Sequence, residues 1–130
     1  MTDSLKTSLN AMLSVRNSKQ AIEFYIEAFD ADVIMRVDSP DGAVVAKLAV
    51  DGAKFWIADE SPEHLNFSPE TINGCSARMV LTVNDPDAWF ARAIAAGAKV
   101  VWPIADQDYG WRVGRLVDPY GHHWEIGKPL

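Results

Sequence analysis

The chain has 130 residues, 48% hydrophobic and 23% charged, with 12 Lys+Arg against 18 Asp+Glu for a formal charge of −6. That balance suits a packed globular domain and excludes disordered, collagen-like and fibrous chains. The acid excess, with no basic stripe, disfavours nucleic acid as a partner, and no apolar run nears the roughly 18 residues that a membrane span needs.

The opening Met1-Thr2-Asp3-Ser4 lacks the basic-then-apolar pattern of a secretion signal, and the single cysteine, Cys75, has no internal partner, so a cytoplasmic protein is expected. Residues 9–15 alternate as a half-buried strand does. Ser18 can cap a helix whose Ile22, Tyr25, Ile26 and Phe29 share one face. Strands follow near 32–38, 43–50 and 54–58, with Asp51-Gly52 as a tight hairpin turn. Residues 61–76, interrupted by Pro62, Pro69, Asn73 and Gly74, read as a connection rather than a periodic element.

A second pass of the same plan follows. After a strand containing Val80-Leu81-Thr82-Val83, Asp85 caps a helix, Pro86 stands where its missing N–H costs nothing, and Gly97 ends it. Trp89, Phe90, Ala93 and Ile94 form its apolar stripe. Strands near 99–102, 111–117 and 122–127 complete the copy, with Asp118-Pro119-Tyr120-Gly121 as the last turn. The two passes repeat at about 67 residues, half the chain, which predicts an α+β domain of two tandem βαβββ modules. Residues 1–130 are expected to form one domain, with module one at about 5–60, the connection at 61–76 and module two at about 77–128.

Ala21-Ile22-Glu23-Phe24-Tyr25, Ala28-Phe29-Asp30-Ala31, Ala96-Gly97-Ala98 and the closing Asp118-Pro119-Tyr120-Gly121-His122-His123-Trp124-Glu125-Ile126 resemble the glyoxalase/bleomycin-resistance/dioxygenase (vicinal oxygen chelate) superfamily. Tyr109-Gly110-Trp111-Arg112 with that closing run is closest to its PhnB-like and bleomycin-resistance-like branch. The resemblance implies a curled mixed sheet enclosing a cleft, a homodimer, and in many members a divalent metal on the side opposite the helices. Its four ligand positions fall here on Asn10, on Trp56 or Ala58, on Arg78 and on Glu125. Only Glu125 is a residue such metalloenzymes use, and Arg78 would set a permanent positive charge beside any cation. A His123/Glu125 pair, two apart on one strand face, is the remaining route to a metal or to proton transfer, and it lacks a third ligand. The preferred reading is an Arg78–Glu125 ion pair.

Strand parity sends Asn10, Trp56, Arg78, His123 and Glu125 to the cleft, and the resemblance implies that Tyr109 and Trp111 stand at its rim. Asp59, Glu60, Asp106 and Asp108 lie nearby in sequence, so the cleft is expected to be aromatic and acidic. The function expected is metal-independent binding of an aromatic or cationic small molecule, as in the family's drug-sequestering antibiotic-resistance proteins, with no cofactor. The alternative is a glyoxalase-like lyase or isomerase using Glu125 and His123. The candidate ligand-binding residues are thus Asn10, Trp56, Asp59, Arg78, Tyr109, Trp111 and Glu125. Of the five Trp, Trp89 and Trp124 are expected in the core.

Overall fold

A computed structural model describes residues 4–130; Met1, Thr2 and Asp3, on which the leader reading partly rests, lie outside the described residues. Each half builds one four-stranded mixed sheet. In the first, β1 (Met12–Val15), β2 (Asp32–Asp38), β3 (Val44–Val50) and β4 (Ala53–Asp59) lie in the order β1-β4-β3-β2, with β1 parallel to β4 and the rest antiparallel. The second repeats it with β5 (Arg78–Thr82), β6 (Lys99–Asp106), β7 (Trp111–Val117) and β8 (His123–Pro129) in the order β5-β8-β7-β6. The helices α1 (Ser18–Phe29) and α3 (Pro86–Ala96) carry each chain from first to second strand, and a four-residue helix, α2 (Pro69–Ile72), sits in the connection with a 3-10 turn at Pro62–His64. The tandem α+β plan is therefore present as read.

Local chemistry sets the boundaries. The cap of α1 is Asn17 rather than Ser18: its side chain accepts the Gln20 N–H at 3.2 Å, while Ser18 is the first helical residue and is buried. The Ser18 N–H donates to the Asp59 carboxylate at 3.0 Å, and that bond draws it inward. Asp85 caps α3 through the Ala88 N–H, with Pro86 following, as the sequence predicts. Asp51 and Gly52 both hold positive φ, 48° and 85°, which is the backbone a two-residue hairpin turn requires. The first strand is shorter than 9–15, and the sixth runs past Pro103 to Asp106 because two register shifts, around Val100/Trp102 and Trp102/Ala105, absorb the proline.

One contiguous core takes in both modules. Tyr25, Phe29, Ile57 and Val15 from the first half meet Leu81, Phe90, Leu116, Trp124 and Ile126 from the second. The two modules do not keep separate cores: α1 supplies a shared aromatic wall, with Tyr25 and Phe29 ring centroids 5.7 and 4.7 Å from Trp124. Trp89 and Ile94 only lean on this core, half-buried, whereas Phe90 and Ala93 are inside it. Among the described residues, no helix is long and apolar enough to cross a membrane.

Candidate functional site

The helices cover one face of each sheet and leave the other open. On the second sheet, strand alternation and pairing lay the open face out as three rows: Arg78, His123, Val117, Lys99; then Val80, Glu125, Arg115, Trp102; then Thr82, Gly127, Val113, Ala105. Trp111 and Tyr109 stand beyond the third row, where β7 begins. Val80, Tyr109, Trp111, Val113, Glu125 and Gly127 line a pocket of about 180 Å³. Gly127 is required at its floor, because a Cβ there would meet the Arg112 carbonyl oxygen at 2.5 Å and the Val113 Cβ at 2.8 Å. Two larger hollows, about 500 and 520 Å³, flank Trp89 beside α3 and are lined by none of the residues the sequence assigned to binding.

The Arg78–Glu125 pair is present: the Arg78 Nε donates to Oε2 of Glu125, whose side chain is only 17% exposed. A carboxylate so engaged has its Oε2 occupied by a charge-assisted hydrogen bond. The neighbouring His123 accepts the Arg115 Nε–H on Nδ1 at 3.1 Å, which leaves the proton on Nε2. Burial first, and then the Arg115 charge, hold its pKa below the ordinary imidazole value, so the ring is neutral at pH 7. Its neighbour His122 points the other way, buried, with Nε2 2.9 Å from the Ser14 carbonyl oxygen.

Other expected site residues are dispersed. Trp56 faces the open side of the first sheet, in a row with Met12, Lys47 and Met35, and the Lys47 Nζ lies 5.2 Å from its ring centroid. Its cation–π position is thus filled from within the chain. Asn10 donates to the Lys54 carbonyl at 3.4 Å.

The acidic cleft does not form. Asp59 falls on the helix side, where its carboxylate accepts the N–H groups of Ser18 at 3.0 Å and Val44 at 2.6 Å; β4 parity, which places Phe55 and Ile57 inward, carries Asp59 with them. Glu60 accepts from the Ser68 N–H and Thr71 hydroxyl, both at 2.9 Å, and these bonds hold its pKa low. Asp106 joins Asp87 of α3 on the Arg112 guanidinium, at 3.0 and 2.7 Å. Asp108 lies in the exposed turn before β7. Sequence reading missed Arg115 and Val113 and left Trp102 unassigned. The alternation of Trp111, Val113 and Arg115 along β7 is the signal that finds the first two.

The family's metal positions can be tested on this donor set. Asn10, Trp56, Ala58 and Arg78 supply no anionic ligand, Glu125 is taken by Arg78, and the His123 Nδ1 is taken by Arg115. Among the described residues, no group of three or more His, Cys, Asp or Glu side chains is placed to hold a metal ion. These residues do not fit the group.

The sequence profile of the Glyoxalase/Bleomycin resistance protein/Dioxygenase superfamily matches residues 8–126. The chain belongs to that superfamily. The Mycobacterium bovis protein Mb0911c is 38% identical over 134 aligned positions, covering 100% of this chain and 88% of its own length. TioX from Micromonospora sp. ML1 shares the fold with a TM-score of 0.74 at 23% identity, covering 96% of this chain and 100% of TioX. The Listeria monocytogenes fosfomycin resistance protein FosX, in its complex with Mn(II) and a sulfate ion, has a TM-score of 0.68 at 14% identity, covering 98% of this chain and 95% of FosX. At these identities the two structures establish a common fold and nothing further.

Proposed function

We propose that this superfamily member is a cytoplasmic small-molecule binding protein that takes an aromatic ligand on the open face of its second sheet without a metal ion. One observation carries the reading: Trp111 and Tyr109 border an apolar pocket whose single acid, Glu125, is already neutralised by Arg78. Such a pocket has flat aromatic surface for stacking and no free carboxylate or charged imidazole to move a proton. The alternative lyase or isomerase needs Glu125 released from Arg78 and His123 released from Arg115. A homodimer belongs to this proposal. The edge strand β2 leaves Val33, Ile34, Met35 and Val37 at 40%, 50%, 37% and 50% exposure, and Met12 and Val80 stand exposed on the open faces, so a second copy has apolar surface to cover.

Titration with naphthalene-2-acetamide by calorimetry tests the reading. Binding is expected to be unchanged by EDTA and weakened about tenfold or more by Trp111→Ala, the scale of a lost stacking contact with its buried area. Stoichiometric Mn(II) or Zn(II) uptake that Glu125→Gln abolishes, together with ligand binding that requires the metal, would overturn it.

A further inference from the structure

The open face of the second sheet has a charge opposite to that of the chain. In a protein of net charge −6, Arg78, Lys99 and Arg115 stand on this face against one carboxylate among the described residues, Glu125, which Arg78 engages. Among the described residues, neither Arg115 nor Lys99 has an ion-pair partner. Arg115 is half-buried, and its Nε–H is spent on a neutral ring, His123. Both terminal NH₂ groups are left with no acceptor among the described residues. Glu125 stands directly across on β8 but is held by Arg78, so the planar fork of Arg115 is left to match an oxyanion.

The position fits the pocket. Arg115 shares a face of β7 with Val113 and Trp111, two and four residues away, so it lies on the order of 7 Å and 13 Å along the strand from them. One small molecule can span that distance.

We propose, resting on the binding site described above, that its ligand is an aromatic molecule bearing an oxyanion, carboxylate or phosphate, with the ring against Trp111 and Tyr109 and the anion on Arg115. Arg78 adds its remaining N–H groups from the flanking strand. This replaces the cation expected from the acid-rich sequence, because the acids invoked for that cation are bound to helix-side and connection groups.

Calorimetric titrations of the full chain with naphthalene-2-acetate, 2-naphthyl phosphate, naphthalene-2-acetamide and 2-(2-naphthyl)ethylamine test it. At least one of the two anions should bind tenfold or more tighter than the amide, with the amine weakest, and the preferred anion identifies the source of the charge. Arg115→Met should weaken the preferred anion tenfold or more and the amide distinctly less, erasing the anion preference, while Arg115→Lys retains part of the preference. An amine that binds as tightly as the anions, or an Arg115→Met variant that weakens acid and amide equally, overturns the assignment of charge but not the binding site. If none of the four probes binds, the small-molecule reading falls and this inference with it. Thermal melts of both variants separate loss of fold from loss of the contact.

Discussion

Asp118→Ala is expected to destabilise the fold by about 3–5 kcal/mol, the scale for removing one side of a buried charged network. The Asp118 carboxylate is 4% exposed and accepts four hydrogen bonds. Oδ2 takes the Tyr25 O–H at 2.5 Å and the Trp124 Nε1–H at 3.0 Å; Oδ1 takes the N–H groups of Tyr120 at 2.9 Å and His122 at 3.0 Å. One carboxylate thus closes the last hairpin turn and ties it to α1, 93 residues away in sequence. Alanine would leave all four donors buried without an acceptor, at about 1–3 kcal/mol each before relaxation. Urea unfolding should rank the variants Asp118→Ala below Asp118→Asn below Tyr25→Phe, since asparagine keeps one accepting oxygen and Tyr25→Phe removes a single bond. A loss under about 1 kcal/mol for Asp118→Ala would show that the network is incidental.

The same site predicts the alkaline limit of stability. Burial first, then the Asp118 charge, push the Tyr25 hydroxyl well above the ordinary 10.0, and burial pushes Tyr120 up to about 12. Both raised values belong to the folded state, so their contribution is complete below pH 10 and is lost as pH rises through the folded values. The urea midpoint should hold from pH 7 to pH 9 and fall above about 10, with a smaller fall in Tyr25→Phe.

How much of this was legible from residues alone depended on whether the signal was local. Asp85-Pro86, Gly97 and Asp51-Gly52 act through backbone geometry within a few residues, and the elements they bound lie where read. Asn17 against Ser18 was not decidable locally, because Ser18 is drawn inward by Asp59, 41 residues on. Strand parity carried the site further than composition did. It put Arg78 and Glu125 on one open face, where the two side chains pair, while the rim position of Trp111 came from the family resemblance. Composition said the cleft was acidic, but a carboxylate near a strand end in sequence can take main-chain N–H groups or an arginine on the far face, as Asp59 and Asp106 do. Applying parity to β7 and β4 without weighting by residue type would have exchanged Asp59 for Arg115. The shared core was hidden for a similar reason: the repeat shows two modules, and the contact that joins them is tertiary.

That junction sets the other large expected effect. Trp124→Ala should cost about 3–5 kcal/mol, as for other fully buried large-to-small changes, and should unfold both modules together. The Trp124 ring belongs to the second module by sequence, yet its aromatic neighbours are Tyr25, Phe29 and Phe55, with centroids 5.7, 4.7 and 5.6 Å away, all from the first. At 2% exposure its removal leaves a void at the centre of the common core. Trp124→Phe should cost less, about 1–2 kcal/mol, because it keeps most of the packing and loses the N–H to Asp118. Near-UV circular dichroism and far-UV signal should give coincident transitions in wild type and both variants, at lower denaturant for alanine. A first module that keeps its cooperative transition in Trp124→Ala would mean that each βαβββ unit has its own core. The geometry argues otherwise, since α1 without Trp124 has the ring faces of Tyr25 and Phe29 uncovered, and a chain of residues 4–60 alone should therefore fail to fold.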